Sequence, residues 1–495
     1  MSHNGNFLEQ GQAMDGGVYQ GAMNSREAED LAKALSAGYP LGGQASGLVG
    51  GGVLQVESLE ATLRSVTFEQ KNLVFWPACP TDKAFSTVEQ YNRLVGYGSN
   101  GKPYFAEGGQ PGEEDSTYVR DTQRIVYFGT KRKVTHPMML VRTSNGDVVA
   151  QQTKEGTMWL LKTIEREMYW GNAYYTNSGE HDGHLAALPQ TSIEMNGLLQ
   201  QLLRGGVDSQ QQSGDFQGYG ADKGNLKDVR GATLVQDDLE DAALAVFENF
   251  GMANEMHSEP AVISALSKLF YPKERITQMG VPDGRAGYVL REFVSSAGTF
   301  SLKPNVFLRP RQGVEAGQPH PQAPATPGAV TITSAAVPAG SSASDFIGSE
   351  VYQYVIRAEN DRGEGLGTAS TAGTVTTSGH QLQLAIPATA GAKAYAVYRS
   401  AAGGAAGTEQ FVGKVAPVSV GGAATFIDRN RKLPGLGEAY LLTMSPERIV
   451  FKQLTPLSKI NLAITSASLE WFMILYGALI VFMPRQHFVL RNAGR

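Results

Sequence analysis

The sequence predicts a mixed α+β protein with an all-β sandwich inserted near its C-terminal end. Three observations carry this. Lys154 to Trp170 repeats Leu160, Leu161, Ile164 and Met168 at spacings of three and four, the period of a helix with one buried face. Ala329 to Gly437 reads as short strands rich in Val, Thr and Ala, with turns every eight to twelve residues or so, the spacing of a β-sandwich. Tyr440 to Asn492 is again strand text, but too short to stand alone, so it completes a body begun before the insert.

Residues 1–55 are rich in Gly, Ala and Gln and poor in large apolar side chains, which suits an arm that needs a surface to lie on. Ser25 to Ser36 and Val56 to Arg64 are short helical patterns, and Leu73 to Pro77 reads as an apolar strand stopped by proline. Residues 80–150 read as a long two-stranded excursion, with Asn-Gly turn signals at Asn100-Gly101 and Asn145-Gly146. The long helix follows within 151–175, with Gly171 as its stop. A shorter helix is expected near Ile193 to Leu203.

Asp237 to Phe250 gives a helix striped by Leu239, Ala243, Val246, Phe247 and Phe250, and Gly251 ends it. Ser258-Glu259-Pro260 opens another helix. Tyr288–Val294 and Thr299–Leu308 make a hairpin around Ala297-Gly298. Gln318 to Pro327 is a Pro/Ala linker into the sandwich. The resulting partition is 1–55 arm, 56–150 strand and extended β-loop, 151–175 long helix, 176–317 body, 318–437 inserted sandwich and 438–495 closing strands.

The 495 residues allow about three domains. Forty-two Lys and Arg against 47 Asp and Glu leave a net charge of −5, unlike the basic surface of a nucleic-acid clamp. The single cysteine, Cys79, excludes a disulfide framework and a Cys-rich metal site, and reads as a small buried hydrophobe. The start of the chain carries no secretory pattern, and the longest apolar run, Trp471 to Met483, is too short to span a bilayer. No membrane partner is expected.

The catalytic search is empty. Gly96 to Lys102 approaches a phosphate-binding loop, but Pro103 stands where the Mg²⁺-holding hydroxyl must be, so a plain hairpin tip is the better reading. Glu180, His181, Asp182 and His184 crowd a polar loop without the helix that sets zinc-ligand geometry. Asp237, Asp238, Glu240 and Asp241 suit a helix start. Nothing assembles a nucleophile, a base and an orienting acid. No cofactor and no metal are expected. Lys131, Arg132 and Lys133 form either a salt-bridged face or a contact with an acidic neighbouring subunit.

The order of arm, β-excursion, long helix, mixed body and closing strands resembles the major capsid protein of tailed bacteriophages. Local text is similar too: Gly231 to Leu244, then Phe250-Gly251, then Glu259-Pro260 and a hairpin ending near Phe307 to Pro310. Tyr354 to Glu364 and Ala396 to Ser400 resemble fibronectin type III or immunoglobulin-like modules. The resemblance implies a capsid fold of N-arm, extended loop, spine helix, peripheral and axial domains, with an exterior Ig-like insert. It implies a non-enzymatic subunit that forms hexamers and pentamers of an icosahedral shell in the virion, made in the host cytoplasm. Other virion proteins (portal, scaffold, decoration) and the enclosed DNA would be its neighbours, and the insert would face the host surface or adjacent subunits. Candidate subunit contacts are Asn100, Gly101, Lys102, Lys131, Arg132, Lys133, Trp159 and Trp170. The alternatives are a bacterial nanocompartment shell, or a carbohydrate-active enzyme carrying a β-sandwich module.

Overall fold

A computed structural model describes residues 70–98, 104–110, 112–141, 147–171, 173, 194–203, 225–274, 290–309, 319–338, 343–417, 419–463 and 466–494. The arm, the patterns at Ser25–Ser36 and Val56–Arg64, both Asn-Gly turns and the 180–184 cluster lie outside these residues.

The long helix runs Val148–Trp170, starting six residues before the expected Lys154. Asp147 caps it by accepting the Val149 amide, and Gln151 and Gln152 both bond Glu155, so the first turns are held by polar contacts that leave no hydrophobic period. Its buried face, with Leu160, Ile164, Met168 and Tyr169, enters a core shared by two sheets.

The first sheet orders four strands: Thr81–Lys83, Ile449–Asn461, Ser468–Val481 and Val126–Thr135. The expected excursion therefore divides. Val88–Gly96 pairs antiparallel with Thr117–Arg124 as a separate ribbon, while Val126–Thr135 is an edge strand of the body. The apolar run 471–483 falls mostly in Ser468–Val481, where Trp471, Met473, Leu475 and Leu479 are buried. Among the described residues no helix is long and apolar enough to cross a membrane.

The second sheet has six strands in the order Leu226–Asp228, Phe488–Ala493, Gly437–Leu442, Glu255–Ser258, Gly298–Pro304 and Glu292–Ser295. Alternation assigns its two faces. Ala439, Leu441, Phe488 and Leu490 pack under the helices Gln236–Glu248 and Pro260–Glu274. Tyr440, Leu442 and Val489 point the other way, into the core of the long helix. His487, at the start of the C-terminal strand, is buried and accepts the Thr443 amide at 3.2 Å. Burial first, and the Arg448 charge second, hold this imidazole down at about 3.

Between these body strands the chain builds two further sheets. Gly363–Gly367, Val351–Asn360, Ala394–Arg399 and Gln410–Val415 run in that order, with Thr371–Thr374 also on Val351–Asn360. Ala424–Asp428, Gln381–Ile386 and Thr331–Ala335 form the other. Both sheets line one core of Tyr352, Tyr354, Leu382, Leu384, Tyr395 and Phe426. A buried ion pair closes one side: Arg399 meets Asp428 at 2.6 Å, Tyr354 donates to the same carboxylate at 2.9 Å, and the guanidinium lies 5.2 Å from the Phe346 and Tyr352 rings.

Two predictions follow from the Arg399–Asp428 pair and the buried neutral His487. Asp428→Ala strips Arg399 of its counter-ion in a fully buried site, and chemical denaturation should show a loss of about 3–5 kcal/mol. His487 titrates near 6.5 when unfolded and near 3 when folded. Below pH 6.5 the unfolded chain takes the proton first, so its contribution to stability is complete above pH 6.5 and falls away as pH drops towards 3. The His487→Asn protein should show a flatter stability profile across that window in urea titrations.

Candidate functional site: a buried polar junction and an exposed contact surface

The sequence reading of Leu73–Pro77 as a strand is corrected. Phe75–Ala78 is a short helix, and the reason is one side chain. Glu165, buried on the long helix, points at its start. Oε1 accepts the amides of Val74 at 3.1 Å and Phe75 at 2.8 Å, and Oε2 accepts Trp76 at 2.7 Å. Successive amides converge on one carboxylate only where the backbone curls, so a local β-pattern loses to a partner 90 residues away.

The junction extends further. Asn305 Nδ2, just after the hairpin, donates to Glu165 at 2.7 Å and lies 3.1 Å from the Tyr169 hydroxyl. That hydroxyl meets His257 Nδ1 at 2.7 Å, and His257 Nε2 meets Glu255 at 2.9 Å. Lys303 closes the chain on Glu255 at 2.5 Å. Burial opposes a charged Glu255, but the bonds from His257 and Lys303 win and hold it at about 2. Burial, with the Glu165 charge behind it, pushes the Tyr169 hydroxyl well up. The Tyr–His–Glu sequence has the outline of a catalytic relay. Yet Tyr169 and His257 are both fully buried, and the hydroxyl is already bonded to Asn305, so the arrangement positions structure.

Other sequence-singled residues also have structural work. Asp238 accepts the Val235 amide at 2.9 Å, Lys227 bridges Asp238 and Asp241 at 2.8 Å each, and Glu240 takes the Ser296 amide of the hairpin. Cys79 is buried, and burial pushes its thiol up to about 12. No group of three His, Cys, Asp or Glu side chains among the described residues could hold a metal ion.

The candidate contact residues separate. Asn100, Gly101 and Lys102 lie outside the described residues. Lys131 and Lys133 pair with Glu470 of the neighbouring strand at 2.5 and 2.9 Å, so their acid is within the chain. Arg132 faces the opposite side, against Gly156 of the long helix. Trp170 is half-buried on the body core with the Lys432 ammonium 5.7 Å from its ring. Trp159 keeps half its surface exposed.

The sequence reading missed a cluster of aromatics. Phe85, Tyr97, Tyr104, Phe105 and Tyr118 are all exposed on or beside the Val88–Gly96/Thr117–Arg124 ribbon. The signal was present as bulky rings in an otherwise polar, Gly-rich stretch. The ribbon itself is fastened: Tyr91 packs edge-on against Phe482 at 5.1 Å and bonds Asp121 at 3.1 Å. Exposed rings in such number are uncommon on a surface that meets only water.

The Glu165 junction gives a direct prediction. Glu165→Ala leaves three backbone amides and Asn305 without their acceptor in a buried site. The expected loss is at least about 3 kcal/mol, read from the shift of the urea midpoint.

Comparison with known proteins agrees in kind. The family model for the SU10 major capsid protein matches residues 105–316. The major capsid protein of Staphylococcus phage S25-3 is 23% identical over 474 residues, covering 94% of this chain and 95% of that protein. The major capsid protein of Staphylococcus phage K matches at the same identity and coverage, and the putative major capsid protein of Enterococcus phage phiEF24C is 22% identical over 488 residues. Among solved structures, the capsid of Myoviridae phage XM1 covers 90% of this chain and 100% of its own, at 8% identity and a TM-score of 0.42. The holo-SrpI encapsulin complex of Synechococcus elongatus PCC 7942 covers 88% and 92%, at 10% identity and a TM-score of 0.36. The chain is thus similar, from end to end, to phage major capsid proteins.

Proposed function

We propose that this chain is a phage major capsid protein, a structural subunit that self-assembles into the icosahedral shell of the virion. One observation carries the reading: the match to major capsid proteins runs through 94% of this chain and 95% of its relative. The protein is not an enzyme, and its place is the capsid shell.

In this reading the residues 1–55 are the arm, 56–150 the strand and extended loop, and 151–175 the spine helix. Residues 176–317 and 438–495 make the body, and 318–437 are an immunoglobulin-like or fibronectin type III-like module on the outside of the shell. Two sheets over one core, interrupting a body whose strands resume at Gly437, support an insert of that kind. The insert is bolted down: Lys414 meets Glu194 at 2.7 Å, Arg230 donates to the Asn430 carbonyl at 2.8 Å, and Asn492 accepts the Leu433 amide at 2.9 Å. Subunits would gather as hexamers and pentamers, with Trp159, the exposed ribbon aromatics and the 100–102 turn reaching neighbours. Many weak contacts suffice, because shell closure multiplies them. The phage origin of the matched relatives favours a packaged genome over the cargo of a nanocompartment.

The test is negative-stain electron microscopy of the purified chain, with nucleic acid measured in native particles. The expected result is closed polyhedral shells or capsomers, and particles that hold DNA. A compact monomer under every assembly condition would overturn the reading.

A further inference from the structure

The long helix Val148–Trp170 ends without a cation of its own. Its last turn, Glu167 to Trp170, holds no basic residue, and Glu167 adds negative charge where the helix dipole is already negative. Backbone closes the end. Gly171 donates to the Glu167 carbonyl at 2.8 Å, and Gly197 donates to the Gly171 carbonyl at 2.9 Å. A Cβ on Gly171 would lie 2.2 Å from the Met195 carbonyl oxygen, and one on Gly197 would lie 2.7 Å from the Glu167 carbonyl oxygen. The stretch from Met195 to Gly197 is thus laid directly across the helix end.

Two lysines of the inserted sheets converge on this end. Lys414, on Gln410–Val415, meets Glu194 at 2.7 Å, one residue before that stretch, and also meets Glu359 of the insert at 2.9 Å. Lys432, past the last inserted strand, places its ammonium 5.7 Å from the ring of Trp170, the final residue of the helix. The same ammonium lies 5.7 Å from the Phe411 ring of Gln410–Val415 and 3.6 Å from Glu438, on the strand where the body resumes. The backbone of Lys432 is tied to the insert, since its carbonyl accepts Arg399 at 3.0 Å. Each lysine therefore joins the insert to the body at the C-terminal end of the long helix.

These charges are held at a cost. The Lys414 and Lys432 side chains are only 10% and 12% exposed. Burial pulls the Lys432 ammonium down, and the Glu438 charge opposes that pull. A methionine of similar length would fill either place without desolvating a charge. It would lack the positive charge that a helix C-terminus favours, and the attraction to the Trp170 ring and the Glu194 carboxylate. We propose that the inserted sheets brace the long helix: Lys414 and Lys432 supply the cations that its last turn lacks and hold the stretch from Met195 to Gly197 against it. The insert is then a working part of the subunit and not a detachable ornament. The proposal concerns one subunit alone and stands apart from shell formation.

Hydrogen exchange on full-chain variants tests it. In the double variant Lys414→Met with Lys432→Met, the amides of Glu167 to Gly171 and of Gly197 should exchange at least about tenfold faster. The amides of Leu160 to Ile164, in mid-helix, and of Val397, in the core of the insert, should keep their wild-type rates. Wild-type rates at the helix end would overturn the proposal. So would equal acceleration in mid-helix or at Val397, which would show that the lysines support the fold as a whole. Glu194→Gln loosens the Lys414 clasp alone, with no change of size. It should speed exchange at Gly197 and leave Val397 as it was. An unchanged Gly197 in this variant would overturn the proposal even if the double variant does not fold.

Discussion

The carboxylate of Glu165, on the long helix, collects four donors from two other stretches of chain. Its two oxygens are satisfied by the amides of Val74, Phe75 and Trp76 and by the Asn305 side chain. In a buried site each of those donors would be costly if left alone, so the group stands or falls together. The consequence is positional. The segment entering the four-stranded sheet, the long helix and the turn leaving the hairpin are fixed to one point. Through Tyr169 and His257 the same point reaches the Glu255–Ser258 strand of the six-stranded sheet. Both sheets and the helix between them are thereby held in one frame.

This frame explains where the sequence was legible. Elements set by their own periodicity were plain: the stripe ending at Trp170, the hairpin around Gly298, and the strands of the insert, each carried by side chains within a few residues. The closing strands were plain as strands, but not their division between two sheets, because Gly437–Leu442 and Ile449–Asn461 differ in partner rather than in pattern. Leu73–Pro77 failed because its amides answer to Glu165, and Val126–Thr135 because its partner, Ser468–Val481, is over 300 residues downstream. The first six residues of the long helix were invisible because polar pairs hold them. Of the candidate contacts, Lys131 and Lys133 share an acid, Glu470, that lies over 300 residues downstream and is invisible in their local pattern. Exposed aromatics were undervalued, since exposure is a property of the fold.

The same division runs through the function. Polar side chains of types that could do chemistry (His257, Tyr169, Glu255, Asp238) are spent inside the subunit, on hydrogen bonds and ion pairs of its own frame. The groups turned outward are rings and aliphatic side chains on elements that the frame holds still. That is the arrangement a shell subunit needs, because association depends on contact groups that are already ordered. The inserted sandwich follows the same logic. Where its chain returns to the body, Arg230, Asn430 and Asn492 are each in the left-handed region, and Arg230 and Asn492 donate across the junction to the Asn430 and Arg431 carbonyls. A module fastened in this way moves with the subunit, not as a tethered bead.

Amide hydrogen exchange at Val74, Phe75 and Trp76 tests the central claim most directly. These amides belong to a helix of four residues, far too short to protect itself. If the Glu165 junction fixes the frame, they exchange as slowly as the core of the long helix, through opening of the whole body. Exchange at the rate of an exposed loop, with the long helix still protected, would show that the carboxylate does not hold the structure together.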